Sequence, residues 1–370
     1  MKEIKNRKVF YISGFDPRNS WYYYKLFKQE DHKASHNNGI KNKISRFNKD
    51  KKQFTIENEK TKTNYEFLTW NNIIKSVWPR TLKTQLKGIY EGFRGYILTG
   101  KVEDFLKNTP KVLIPGLFPY LYTILVFISS IIISTFIAVK YPTIISYVIY
   151  PFLLMGLVYL GVKYGNKIAV YWLSNIFNFF LKWDKGEIPR LNSMTNSMIL
   201  NIKKQVKENN YDEILIVGHS VGSALIVPVI KGLIEKLSQE EIEKIKILTL
   251  GNCIPLKTMQ NNSKEYNKDL KDILENEIEW YEVSSPIDGA SFPLINPLTY
   301  EKNVKEFGKN KIMINPQFYK LYSKKEYYKL KYNWYLVHFL YLRATPKKGK
   351  YDYFEITTSN KSITKLLGEK

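Results

Sequence analysis

The residue of this chain best placed to act as a nucleophile is the serine at the centre of Gly218-His219-Ser220-Val221-Gly222. It lies within Tyr211 to Leu233, YDEILIVGHSVGSALIVPVIKGL. Ile214 to Val217 is a short apolar run of strand type, and Ser223 to Leu233 supplies apolar residues suited to a helix packed on a sheet. A sharp turn from strand to helix strains its middle residue and tolerates only small residues two positions to either side. The serine hydroxyl is then held clear of the sheet at a helix N-terminus, where developing negative charge is stabilised. A Gly-flanked turn in an ordinary α/β domain would use the same five residues without any chemistry.

Strand, turn and helix together resemble the nucleophile elbow of the α/β-hydrolase superfamily, in its lipase and esterase form. The resemblance implies a triad in the chain order Ser, then Asp or Glu, then His. Of the four histidines, His32 and His36 precede Ser220 and His219 lies inside the elbow, which leaves His338 in NWYLVHFLYLRA. A buried core histidine is the alternative role for that residue. The aspartates between Ser220 and His338 are Asp269, Asp272 and Asp288. The first two sit in SKEYNKDLKDILENE, which reads as a solvated helix. Asp288 follows WYEVSSP, where Trp280 to Val283 is strand-like and Ser284-Ser285-Pro286 forms the loop leaving it. The resembled fold presents its acid just past a strand's C-terminal end, where it fixes the tautomer of the histidine and stabilises the imidazolium. Asp288-Gly289 also suits a simple turn, and Glu282 is the second eligible carboxylate.

The resemblance further implies an oxyanion hole, built from the N–H after the nucleophile and another from a loop early in the domain. Here those are Val221 and the loop in KVFYISGFDPR, where Val9 to Ile12 reads as a strand and Ser13 to Pro17 as a turn. Phe15 N–H is the expected donor, with Gly14 letting the backbone approach. Many family members carry His-Gly where this chain has Ser13-Gly14, but only backbone donors are required.

The elements that must carry these residues are interrupted by apolar sequence. Val112 to Val139 is 28 residues without a charge, and after Lys140 the stretch Tyr141 to Val162 adds 22 more. About 20 residues span a bilayer as a helix. Pro142 suits a helix's first turn, Pro151 predicts a kink, and Tyr120, Tyr122, Tyr141, Tyr159 and Tyr164 cluster toward the ends as interfacial aromatics do. A re-entrant hairpin is the rival arrangement. Lys101, Lys107 and Lys111 precede the pair and Lys163 and Lys167 follow it, whereas the connection holds only Lys140. By the positive-inside rule both outer ends face the cytoplasm. Two spans keep Gly14 and Ser220 on one side of the membrane, and a single span would not.

Composition bounds the rest. The start MKEIKNRKVF has no signal-type apolar core before the first strand. Cys253 is the only cysteine, so no intramolecular disulfide is possible, as expected in a reducing compartment. Four dispersed histidines and one cysteine make no familiar zinc site, and no cofactor is expected. The net charge of +23 is mostly lysine. The Lys/Tyr interleaving at Tyr319 to Tyr332 is a pattern that can bind nucleic acid, yet beside a bilayer anchor, attraction to anionic lipid is simpler. Membrane lipids and an acyl ester are therefore the expected partners, and no nucleic acid. Asp31 to Lys52 reads as a mobile loop, with Lys52 to Ile56 and Asn64 to Leu68 as a small strand pair. Ala169 to Trp183 and Thr81 to Asn108 are amphipathic, suited to packing on the sheet or to lying in the membrane interface.

The expected fold class is α/β, a hydrolase-like, mostly parallel sheet with an inserted two-helix transmembrane hairpin. Residues 1–110 would carry the oxyanion loop, 111–168 the hairpin, and 169–370 the nucleophile, acid and base. The expected activity is cleavage of acyl esters, of lipids or other amphiphiles. A thioesterase would share every residue named, and a catalytically silent hydrolase-fold scaffold is the alternative of another class.

Overall fold

The computed structural model describes residues 3–298 and 310–368. The chain divides into two compact units, one of Met1–Val77 with Trp183–Lys370 and the other of Trp78–Lys182. The first is a mixed α/β unit built on an eight-stranded sheet in the order β2-β3-β4-β1-β5-β6-β7-β8. Its strands are β1 (Asn6–Ile12), β2 (Lys43–Ile44), β3 (Gln53–Glu57), β4 (Lys62–Phe67), β5 (Glu213–His219), β6 (Ile245–Leu250), β7 (Glu279–Val283) and β8 (Lys311–Ile314). From β4 through β8 all neighbours run parallel, and β2 and β3 extend the β4 edge antiparallel. Every residue of β5 is buried, as a strand covered on both faces requires, and its continuous apolar run is the sequence trace of that position.

Charge buried at the start of β1 pins the sheet's register. Arg7 Nε donates to Glu213 Oε2 at 2.7 Å, and its two terminal nitrogens donate to the carbonyls of Ser359 and Lys361 at 2.6 Å each. Lys8 Nζ meets Glu66 Oε2 at 2.6 Å. Such pairs stabilise little over an apolar substitute, but losing one partner strands a buried charge.

The expected strands at Val9 to Ile12, Ile214 to Val217 and Trp280 to Val283 fall inside β1, β5 and β7, and the small pair is β3 with β4. The reading of Asp31 to Lys52 as a loop is corrected. Helix α1 (Ser20–Asn38) takes its first eight residues. Asn19 caps α1 by accepting from Tyr22 N, and Gly39 closes it at φ 73°, with its N–H on Ser35 O. In the second half of α1 Asp31 and Ala34 are buried while His32, Lys33 and His36 are exposed, continuing the face that buries Tyr23, Tyr24, Leu26 and Phe27 in the first half. Composition averaged over a window hides such a stripe.

The second unit contains two helices long and apolar enough to cross a membrane, α2 (Pro110–Lys140) and α3 (Ile144–Lys167). Helix α3 runs on through Pro151. This unit also takes in both amphipathic stretches up to Lys182. In α4 (Val170–Asp184) the residues from Val170 to Leu181 are all buried, including the polar Ser174, Asn175 and Asn178. Asn178 Nδ2 donates to Gly88 O at 2.8 Å. The interfacial reading of this helix is therefore corrected: Ser174, Asn175 and Asn178 of its polar stripe are buried.

Candidate active site

Between β5 and the helix α5 (Val221–Ile234) stands a single residue, Ser220, with φ 58° and ψ −125°. A side-chain-bearing residue at positive φ is strained by roughly 1–3 kcal/mol and persists only where its surroundings fix it. Here they do. A Cβ on Gly218 would lie 2.8 Å from Gly222 O, and one on Gly222 would lie 2.7 Å from Ser13 O. Both glycines are thus needed for the helix to start against β1. Gly14 completes the clamp: a Cβ there would lie 2.7 Å from Ser220 Cβ and 3.1 Å from its Oγ. The loop after β1 therefore packs directly on the serine.

Asp288 lies in the loop after β7, and His338 ends the short helix Trp334–His338. His338 Nδ1 is 2.9 Å from Asp288 Oδ2 and 3.0 Å from Oδ1. Tyr341 OH donates to Oδ2 at 3.0 Å and Ala290 N to Oδ1 at 3.1 Å. Burial disfavours the charge on Asp288, but the His338 ring, the Ala290 N–H and the Ser291 hydroxyl outweigh it and hold the carboxyl below its ordinary range. An ionised Asp288 keeps the proton of a neutral His338 on Nδ1, which leaves Nε2 with the lone pair a general base uses.

A third contact fixes the backbone of His338. His219 Nε2 lies 2.8 Å from the carbonyl of His338, and the two rings are 4.8 Å apart. Burial, aided by the neighbouring His338, pushes His219 down to about 3. It is therefore neutral at pH 7 with its proton on Nε2, since a carbonyl can only accept.

Ser220 Oγ meets Cys253 Sγ at 3.8 Å, and that sulfur lies 3.5 Å from Ala290 O, in the Asp288 loop. Burial raises the Cys253 thiol, so it stays protonated. Among the described residues no hydrogen bond joins Ser220 directly to His338. Bonds of this kind commonly tighten only when substrate is in place. Ser220, Asp288 and His338 are each 1% exposed.

Val221 is the first residue of α5, where backbone N–H groups have no intrahelical acceptor. Phe15 is buried beside Trp70, whose Nε1 donates to Ser13 O at 2.8 Å. Asp16 N returns to Gly14 O at 2.8 Å, so this loop has a defined shape.

Glu282, the other eligible carboxylate, is placed differently. It is fully buried in β7 and accepts from Asn252 Nδ2 at 2.7 Å and Ser284 Oγ at 3.0 Å. Burial raises it to about 7 against the lowering effect of those bonds. Ser284 Oγ also accepts from Leu294 N at 2.9 Å, so Glu282 organises the loop that carries Asp288. Asp269 and Asp272 lie on the helix Lys264–Glu275, where Asp272 pairs with Lys231 at 2.7 Å.

Sequence reasoning left His219, Tyr341, Cys253 and Asp16 without roles. The parts played by Tyr341 and Cys253 rest on contacts between distant segments, and no spacing marks them, whereas Asp16 acts locally on Gly14 and Tyr23. His219 carried a signal, being the one variable position of the elbow that holds a titratable ring. No protein-family model, curated protein or solved structure matches this chain.

Proposed function

We propose that this chain is a membrane-anchored serine hydrolase of the α/β-hydrolase type that cleaves acyl esters. The observation that carries the reading is the Asp288–His338 pair, 2.9 Å apart, in the same buried cluster as a serine held at positive φ. In the proposed cycle Ser220 Oγ attacks the ester carbonyl while its proton passes to His338 Nε2. The N–H groups of Val221 and Phe15 receive the developing oxyanion, a contribution of about 3 kcal/mol for one such donor. The intermediate collapses, and His338 returns the proton to the departing alcohol. Water then attacks the acyl-enzyme, giving its proton to Nε2, and the acid leaves as Ser220 regains its hydrogen. Asp288 holds the imidazolium through both halves.

The anchor supports a lipid or other amphiphilic substrate. With α2 and α3 as spans, the lysines outside both ends support a cytoplasmic location for the sheet unit. A bilayer-held enzyme avoids drawing an acyl chain through water, which costs about 0.8 kcal/mol per CH₂ exposed. A thioester would be cleaved by the same residues. The 3.8 Å approach of Ser220 to Cys253 favours one other reading, a silent scaffold in which the serine is parked on the thiol. Turnover separates these. The purified protein in proteoliposomes should release fatty acid from a long-chain glycerolipid ester, and Ser220→Ala should not. Turnover of short soluble esters alone would remove the lipid substrate but keep the hydrolase. Wild type and Ser220→Ala alike inert toward esters and thioesters would leave the scaffold.

A further inference from the structure

We infer that Arg18 recognises an anionic group on the substrate, so that the ester cleaved at Ser220 carries a phosphate or carboxylate near its carbonyl. This inference rests on the hydrolase reading above.

Arg18 stands four residues beyond Gly14, on the loop that packs against Ser220. Its guanidinium is held from three sides. Nε lies 2.9 and 2.7 Å from the two oxygens of Asp16, and Nη2 lies 2.7 Å from Oδ2. Asp16 is itself buried and receives Tyr23 OH at 2.7 Å. The guanidinium carbon sits 4.0 Å from the centre of the Tyr22 ring and 4.6 Å from that of Phe339. Phe339 follows His338 in the chain, and its ring is 5.2 Å from that of His219. The cation is thus fixed between the loop that touches the nucleophile and the segment that carries the base.

What Arg18 does not use is as informative. Asp16 occupies the Nε–Nη2 edge, and among the described residues none accepts from Nη1. The side chain remains 40% exposed although it is clamped. A guanidinium fixed in advance, with one N–H edge left over, loses little conformational freedom on taking up an oxyanion. Planar N–H donors match carboxylate and phosphate oxygens better than any neutral acceptor. Asp16 cancels part of the charge, so discrimination comes from directed hydrogen bonds rather than net attraction. A role as a clasp alone, joining Asp16 to Phe339, would support neutral and anionic esters equally.

The test uses the full-length protein in neutral detergent micelles with three esters of one acyl chain. One has a neutral alcohol, one bears a phosphate and one a carboxylate. Wild type is expected to show a higher kcat/KM for one or both anionic esters, by about tenfold to a hundredfold, the span of a charge-assisted hydrogen bond. Arg18→Gln should lower the anionic-to-neutral ratio by about tenfold or more, chiefly through the KM of the anionic ester. Loss confined to the phosphate ester assigns a lipid-type phosphate, and loss on both assigns a general oxyanion site. Equal losses on all three esters, or an unchanged ratio, overturn the inference and leave the hydrolase intact. If Arg18→Gln does not fold, the wild type still decides. Decyl phosphate should slow labelling of Ser220 by a fluorophosphonate more than decanol does, and equal slowing overturns the assignment. A wild type that neither labels nor cleaves any ester ends the hydrolase reading and the inference with it.

Discussion

His219 Nε2 reaches the backbone carbonyl of His338 at 2.8 Å, so the residue beside Ser220 anchors the segment that bears His338. The bond spans 119 positions of chain and ties the end of β5 to the Trp334–His338 helix. Because burial keeps His219 neutral, the anchor does not change with pH in the physiological range. His219→Phe removes the donor and retains an aromatic ring. Turnover is expected to fall by about tenfold, the worth of one buried hydrogen bond, carried by kcat. His219→Gln, which can still donate, should recover part of it. Full activity in His219→Phe would show that His338 is positioned without this bond.

Asp288→Asn keeps the shape of the acid but no longer holds the Nδ1 tautomer. A loss of about 10⁴-fold in kcat is expected by analogy with other triads, with the fold retained. Circular dichroism and ester turnover on the same preparation check both halves of the statement. Activity within tenfold of wild type would assign Asp288 to the loop's structure alone.

Gly14 has no room for a methyl group, since a Cβ would lie 2.7 Å from Ser220 Cβ. Gly14→Ala must displace either the loop or the serine, and a misplacement of about 1 Å at a reacting centre costs on the order of 10²-fold in rate. The expected result is a folded protein whose reaction with a fluorophosphonate is slowed by about that factor. Labelling at the wild-type rate would mean that the loop gives way without touching the site.

Glu282 makes stability depend on pH. Its folded value, about 7, is raised from an ordinary 4.5 by burial. A group raised on folding favours the folded state most below its unfolded value, and that contribution is lost as pH climbs through the folded one. Between pH 4.5 and 7 the loss is on the order of 3 kcal/mol. Thermal unfolding at pH 5 and pH 8 should therefore show a smaller pH-dependent drop in Glu282→Gln than in wild type. An identical drop in both would remove Glu282 as its source.

Legibility in the sequence followed the range of the interactions. The turn from strand to helix at Ser220 is local, because Gly218 and Gly222 are the two positions where the backbone leaves no room for a Cβ. Val9 to Ile12 in β1 and Ile214 to Val217 in β5 announce themselves as apolar runs because parallel strands are covered on both faces. The second half of helix α1 was hidden because Asp31 and Ala34 are its only buried positions among polar residues, too few to show a stripe. The polar residues of α4 pointed to an interface, yet Asn178 satisfies a backbone carbonyl inside its own unit. Cys253 and Tyr341 enter the site through contacts over tens of positions, and Arg18 packs on Phe339 from the far end of the chain, which leaves no period or spacing to read. Asp16 binds Arg18 and Tyr23 within its own loop and helix start, a pairing no motif marks.

The central claim is that Ser220 is a nucleophile activated by its surroundings, and the most direct measurement is covalent labelling of the detergent-solubilised protein by a fluorophosphonate, followed by intact mass. One adduct is expected on wild type, located on the peptide containing Ser220, with none on Ser220→Ala and strongly slowed labelling on His338→Ala. Equal labelling of wild type and Ser220→Ala, or no labelling of a folded wild type, would contradict it.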